Sequence, residues 1–221
     1  MLEINANHTL YKKKLLNTDL IVVDDFLLYP DKVIEYLYDN EPANLWKHNQ
    51  IPSNNGKYFI DKRHIIRSKE TYSYNSYINT ILNKDSQVLL EPNTINSNFS
   101  RFIDRDFNNY IDHYWYPHID DGYNGLLYLN INGCSGTNIY DMYHSDNYDY
   151  PEHYNPWRPK NNYNLIYNIE SKFNRLVLFD GKLLHGMAIN NDDFFSIERI
   201  NLATFFIELN LSEICTHISD N

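Results

Sequence analysis

The spacing of hydrophobic positions changes part-way along this 221-residue chain. Leu20-Ile21-Val22-Val23 is a compact apolar run of strand length, left through Asp24-Asp25-Phe26-Leu27. Pro30-Asp31 has the residue types of a helix start, and Val33, Ile34, Leu37 and Tyr38 follow at helical spacing. Tyr74, Tyr77, Ile78, Ile81 and Leu82 share one face of a second helix predicted over Lys69–Asn83. From Gln87 onward the apolar runs shorten to strand length: Gln87–Leu90, Asn98–Ile103, Gly125–Ile131, Thr137–Asp141, Arg175–Phe179, Leu183–Ala188 and Arg199–Leu209. Clusters of Asn, Asp, Gly and Pro separate them, as turns require. The Asp180-Gly181 turn predicts Leu183–Ala188 antiparallel to Arg175–Phe179. Helices first and many short strands later predict a mainly β fold with flanking helices, packed on a sandwich or jelly roll. The length suits a single domain over 1–221, with a helical N-terminal part at 25–85 and a jelly-roll core at 87–210. No internal repeat is present.

One segment fits neither period. Tyr143 to Tyr163 is rich in Tyr, Asn, Asp and Pro, and a loop of that length in a compact domain is often a lid or a binding loop. It can equally be an ordered surface excursion.

Composition narrows the function classes. The net charge is -10 and the pI about 5.3. Nucleic-acid binders carry a basic stripe, because phosphate contacts supply most of their affinity. Here the basic run Lys12-Lys13-Lys14 is short and reads as a solvated face. Nucleic acid is therefore not an expected partner, and an acidic surface disfavours docking on an anionic membrane. Cys134 and Cys215 are too few for a disulfide framework and fit a reducing compartment. The first residues lack the basic-then-apolar order of a signal peptide, and no apolar run reaches the length of a membrane span. The expectation is a soluble, cytoplasmic protein.

Two His and one carboxylate on one face of an iron, with open positions opposite, form the facial triad of non-haem Fe(II) oxygenases. A His-x-Asp tripeptide alone is weak evidence, since a chain with 9 His and many Asp gains one by chance. Two copies occur, His118-Ile119-Asp120 and His144-Ser145-Asp146. In extended backbone residues i and i+2 point the same way, so the motif needs a place beside a sheet. His118 lies just before the strand Gly125–Asn130, whereas His144 sits in the aperiodic stretch. His118 and Asp120 are the candidate pair. His185 follows the strand and turn Asn174–Gly181 and precedes Gly186, which would let backbone pass close to a bound group. It is the candidate third ligand.

Arg199 opens the last strong strand, with Asn201, Ala203 and Phe205 on its face. An Arg heading an apolar strand is costly to bury unpaired. A bound carboxylate or a neighbouring acid would resolve that cost, and the planar guanidinium suits two carboxylate oxygens at once.

Together these residues resemble the Fe(II)/2-oxoglutarate oxygenases, nearest the prolyl-4-hydroxylase-like branch and its bacterial and phage relatives. The set runs in order as His118-x-Asp120, Tyr128-Leu129-Asn130, Gly133–Thr137, Asn174–Gly181 with His185-Gly186, and Arg199. The opening Val23–Leu27 with Pro30 is similar too, so the resemblance spans roughly residues 20–210. It implies a double-stranded β-helix, a squashed jelly roll, with Fe(II) at its open end. It implies 2-oxoglutarate as cosubstrate and O2 as oxidant, with Tyr128 donating its hydroxyl to a 2-oxoglutarate carboxylate. The family's Gly-Gly-x-Thr element is present only as Gly133-Cys134-Ser135-Gly136-Thr137, which leaves Thr137 without a family-derived role. Some relatives carry Thr where Ala203 stands; either Asn201 or Thr204 compensates, or nothing does.

The expected activity is hydroxylation of a C–H bond in a peptide or small-molecule substrate, with release of succinate and CO2. Asp120 in the third ligand position leaves no room for a halide, which favours hydroxylation over halogenation. The alternatives are a non-catalytic jelly-roll metal- or ligand-binding protein, and a cupin-type metalloenzyme in which His113 or His144 adds a ligand. Trp115 and Tyr116 before His118, and Trp157 with Arg158, are candidate linings of the substrate mouth.

Overall fold

Period-two alternation along four strands sorts their apolar residues onto two faces of one large sheet. The structure, a computed structural model, describes residues 2–40, 47–52, 58–66, 70–82, 87–90, 95–102, 109–131, 136–142, 157–190 and 199–209. In chain order the strands are β1 (Thr9–Leu15), β2 (Thr18–Asp24), β3 (Lys47–Pro52), β4 (Tyr58–Ile66), β5 (Gln87–Leu90), β6 (Ile95–Phe102), β7 (His113–Trp115) and β8 (Tyr123–Tyr128). They continue as β9 (Thr137–Met142), β10 (Trp157–Pro159), β11 (Tyr163–Ile169), β12 (Arg175–Asp180), β13 (His185–Met187) and β14 (Arg199–Leu209). The helices are α1 (Pro30–Asn40), α2 (Glu70–Leu82) and the single turn α3 (Asn109–Asp112).

Among the described residues the large sheet has nine strands in the order β1-β2-β12-β8-β14-β6-β4-β3, with β5 also on β14. A three-stranded sheet, β11-β9-β13, lies over its inner face, and β10 pairs with β7. Every pairing is antiparallel. On the outer face Ile21, Val23, Leu176, Leu178, Leu127, Ile200, Leu202 and Phe206 pack on Val33 and Leu37 of α1 and on Tyr74 and Ile78 of α2. On the inner face Leu20, Val22, Val177, Phe179 and Tyr128 meet Ile139 of β9 and Ile169 of β11. Burying each large apolar side chain contributes about 1.5–3 kcal/mol. The result is a mainly β jelly roll with helices on one outer face.

The junction between β2 and α1 is tied to β12. Asn174, at φ 60°, donates its amide to Leu27 O at 2.9 Å and accepts from Leu27 N–H at 2.9 Å. Next to it, Arg175 grips Asp24 through Nε at 2.6 Å and Nη2 at 3.0 Å.

Three sequence expectations change. Leu183–Ala188 does not pair with β12. The Asp180-Gly181 turn, closed by Leu183 N–H to Asp180 O at 3.0 Å, carries the chain across to the small sheet, where β13 pairs with β9. The stretch read as helical, 25–85, also supplies β3 and β4 to the large sheet. The aperiodic stretch ends in β10 and a 3-10 turn and hands over to β11 at Tyr163, while 143–156 lie outside the described residues. No helix among the described residues is long and apolar enough to cross a membrane.

Candidate metal centre

The segment between β7 and β8 is held in place by the turn between the two sheets. Tyr116 takes φ 46°, and the chain then runs extended. His118 and His185 form an isolated antiparallel bridge, and Asp120 N–H donates to Gly181 O at 2.9 Å. The fit is too close for side chains at two positions. A Cβ on Gly181 would lie 2.6 Å from Asp120 O, and one on Gly186 2.6 Å from Trp115 O. Gly186 was expected to let backbone approach a bound group. What it admits here is the main chain that carries the His-x-Asp motif.

Extended backbone points His118 and Asp120 the same way, toward His185. The ligand atoms of the three residues lie within 4.8 Å of one another, the one such cluster of His, Cys, Asp and Glu among the described residues. Asp120 Oδ2 stands 3.6 Å from His118 Nε2 and 3.3 Å from His185 Nε2. Both imidazoles are oriented by main-chain carbonyls: His118 Nδ1 is 2.7 Å from Tyr116 O, and His185 Nδ1 is 2.7 Å from Leu183 O. A proton on each Nδ1 leaves the Nε2 lone pairs facing the carboxylate, the usual arrangement around a metal ion. The His185 ring lies edge-on to Phe179 at 4.9 Å and is nearly fully buried, whereas the side chains of His118 and Asp120 retain 33% and 26% exposure. The centre therefore opens on the His118–Asp120 side.

Burial pushes the His185 imidazole down, outweighing the carboxylate beside it. Burial alone would raise the Asp120 carboxyl, but imidazoles in their protonated form, donating from Nε2, outweigh it and hold the group well below the usual carboxylate range. With both Nε2 atoms unprotonated, the three facing donor atoms are close enough to hold one cation between them. A divalent metal fits this nitrogen-and-oxygen donor set, and its ligand types suit Fe(II).

Sequence reasoning missed Asn124. Its Nδ2 lies 2.6 Å from Asp120 Oδ2 and 3.1 Å from His185 Nε2, and its Oδ1 is buried with no partner among the described residues. Counting back by twos from Tyr128 would have placed it on the inner face beside the motif.

A second polar group lies on the same inner face. Arg199 is 7% exposed. Its Nη2 is 3.5 Å from Thr137 Oγ1, its guanidinium sits 5.8 Å from the Tyr128 ring centre, and its Nε has no partner among the described residues. No ion pair to Arg199 is found among the described residues. The Tyr128 hydroxyl meets Thr137 Oγ1 at 2.8 Å, so Thr137 joins this cluster after all. Asn201 is buried directly across from Tyr128 on the neighbouring strand. Thr204 faces the other way, bonding Gly125 O and the Tyr74 hydroxyl under α2, and cannot compensate for Ala203. Trp115 and Trp157 pack edge to face at 5.0 Å and are both buried, so neither lines an open mouth. The Tyr116 ring lies tilted against His118, centres 4.9 Å apart, at the exposed side of the centre. His113 is not part of the cluster, and His144 lies outside the described residues.

The structure is similar to a solved 2OG-Fe(II) oxygenase. That protein, from Burkholderia pseudomallei, is described as an oxidoreductase of the 2OG-Fe(II) oxygenase family. The match covers 85% of this chain and 85% of that one, at 10% identity and a TM-score of 0.46. No family model matches the sequence, and no curated protein does.

Proposed function

We propose that the chain is an Fe(II)- and 2-oxoglutarate-dependent oxygenase that hydroxylates a C–H bond of a peptide or small molecule. His118, Asp120 and His185 would hold the iron from one side. The observation that carries the reading beyond a generic metal site is Arg199. A guanidinium this deeply buried, without a carboxylate among the described residues, is costly unless an anion joins it. It shares the inner face with the triad, as a dicarboxylate reaching between them requires.

Iron with 2-oxoglutarate and O2 supplies the oxidising power, releasing succinate and CO2. The protein's residues do the rest. Arg199 pairs the far carboxylate through its planar fork. Thr137 and Tyr128 offer hydroxyls beside it, and Asn201 borders the same space. Phe179, Val177 and Ile139 keep water from the inner side, while the His118–Asp120 side admits substrate.

The test is anaerobic addition of Fe(II) and 2-oxoglutarate, read by the weak visible charge-transfer band of the chelate. The band should form with wild type, disappear in His185→Ala and Asp120→Ala, and need far more 2-oxoglutarate in Arg199→Gln. Absence of the band in wild type, or its survival in the triad variants, rules the reading out.

A further inference from the structure

Asn124 is buried inside an otherwise apolar strand, and its side chain touches the reacting end of the site rather than its periphery. Two distances define what it can do. Its amide head is 2.6 Å from Asp120 Oδ2 and 3.1 Å from His185 Nε2. Donors about 2.1 Å from one metal ion and at right angles to each other lie about 3.0 Å apart. The amide therefore keeps the spacing of a neighbouring ligand. It is too far from both atoms to stand in for the ion itself.

The orientation of the amide follows from charge. Facing lone pairs alone, the NH2 end turns inward and donates to them. Facing a cation, that end is repelled, and a half-turn about Cβ–Cγ presents Oδ1 from nearly the same position. Oδ1 has no partner where it now stands, so the rotation breaks no hydrogen bond of that atom. A neutral amide oxygen is also a donor that carboxylate-binding divalent ions accept.

We propose that Asn124 is a fourth protein ligand of the His118–Asp120–His185 centre, coordinating through its amide oxygen. The inference rests on the metal-centre reading above. It makes Asn124 the weakest of the four ligands, since it alone is neither anionic nor an imidazole. It is the ligand that a chelating dicarboxylate would displace.

The experiment uses Mn(II) alone, with binding followed by titration and bound water counted by proton relaxation. Wild type should bind Mn(II). Asn124→Ala should bind it about tenfold more weakly and carry one additional exchangeable water. Asn124→Asp should bind at least as tightly as wild type, because an anionic oxygen replaces a neutral one in the same place. If the amide merely donates to Asp120, the new carboxylate takes a position that water holds in wild type, and the bound-water count falls by one instead of staying at the wild-type number. That result, or Asn124→Ala matching wild type in affinity and water count, overturns the proposal. Asn124→Asp decides the matter even if the alanine variant fails to fold. Failure of the centre itself looks different: wild type then binds no Mn(II), or His185→Ala binds it as well as wild type does.

Discussion

His118 and His185 face each other as an isolated antiparallel bridge, each N–H donating to the other's carbonyl at 2.8 Å. Main-chain hydrogen bonds thus set the spacing of the two backbones from which the imidazoles project. A site built this way is in place before any ion arrives. Stripping the metal with a chelator should abolish turnover and leave the circular dichroism spectrum and the cooperative melt intact. Unfolding on chelation would show that the ion holds the fold together, as in small zinc domains.

The same bridge exposes the centre to a small change at Gly186. A methyl group there would lie 2.6 Å from Trp115 O and 3.1 Å from Tyr116 O, both backbone atoms. Gly186→Ala should push the His-x-Asp strand away, costing about 1–3 kcal/mol of stability. Metal affinity should fall at least tenfold. Titration with Co(II) on folded variant checks this, and undiminished affinity would mean that the strand gives way without moving His118.

Arg199 should separate stability from ligand binding. With a buried guanidinium and no acid among its described neighbours, Arg199→Met should leave the ligand-free melting temperature unchanged or higher. The rise in melting temperature that wild type shows with 2-oxoglutarate should vanish. A large loss of stability in the ligand-free variant would point to a carboxylate partner within the protein.

Asp24 and Arg175 carry the acid sensitivity of the β2–β12 junction. The Arg175 guanidinium, with Lys172 beyond it, holds the Asp24 carboxyl below its ordinary range against the opposing effect of burial. A depressed folded value means the stabilisation is complete above the unfolded value, about 3.9, and fades as pH falls through the folded one. Asp24→Asn should cost about 1.5–3 kcal/mol at neutral pH. The gap between the two proteins should narrow below about pH 4. Denaturant melts across pH 2.5–7.5 test it, and a gap that does not depend on pH refutes the assignment.

Much of this was legible in the residues because burial and chemistry left periodic marks. The runs Gln87–Leu90 and Arg199–Leu209 coincide with strands, and Pro30 does open a helix. His118, Asp120 and His185 stood out because few residue types ligate metal and one copy of the motif abutted a strand. Pairing partners left no such mark. Asp180-Gly181 reads equally as a hairpin turn or as a crossing between sheets, and only the hydrogen bonds of His185 with His118 decide it. Lys47–Ile66 escaped because its polar residues blur the alternation. Asn124 escaped because asparagine is abundant in this chain and one more carries no signal until its neighbours are known.

Lys12, Lys13 and Lys14 lie on β1, which ends the large sheet with six of its seven residues exposed. Lys14 pairs with Asp19 at 2.8 Å, and Lys13 lies 3.7 Å over the Tyr167 ring. An unpaired strand edge is an invitation to polymerise, and closely spaced ammonium groups are the means by which natural sheets refuse it. The basic run of this acidic protein thus lies along a sheet edge that is open among the described residues. Exchanging the three lysines for threonine should increase self-association over wild type, read as light scattering that grows more steeply with concentration.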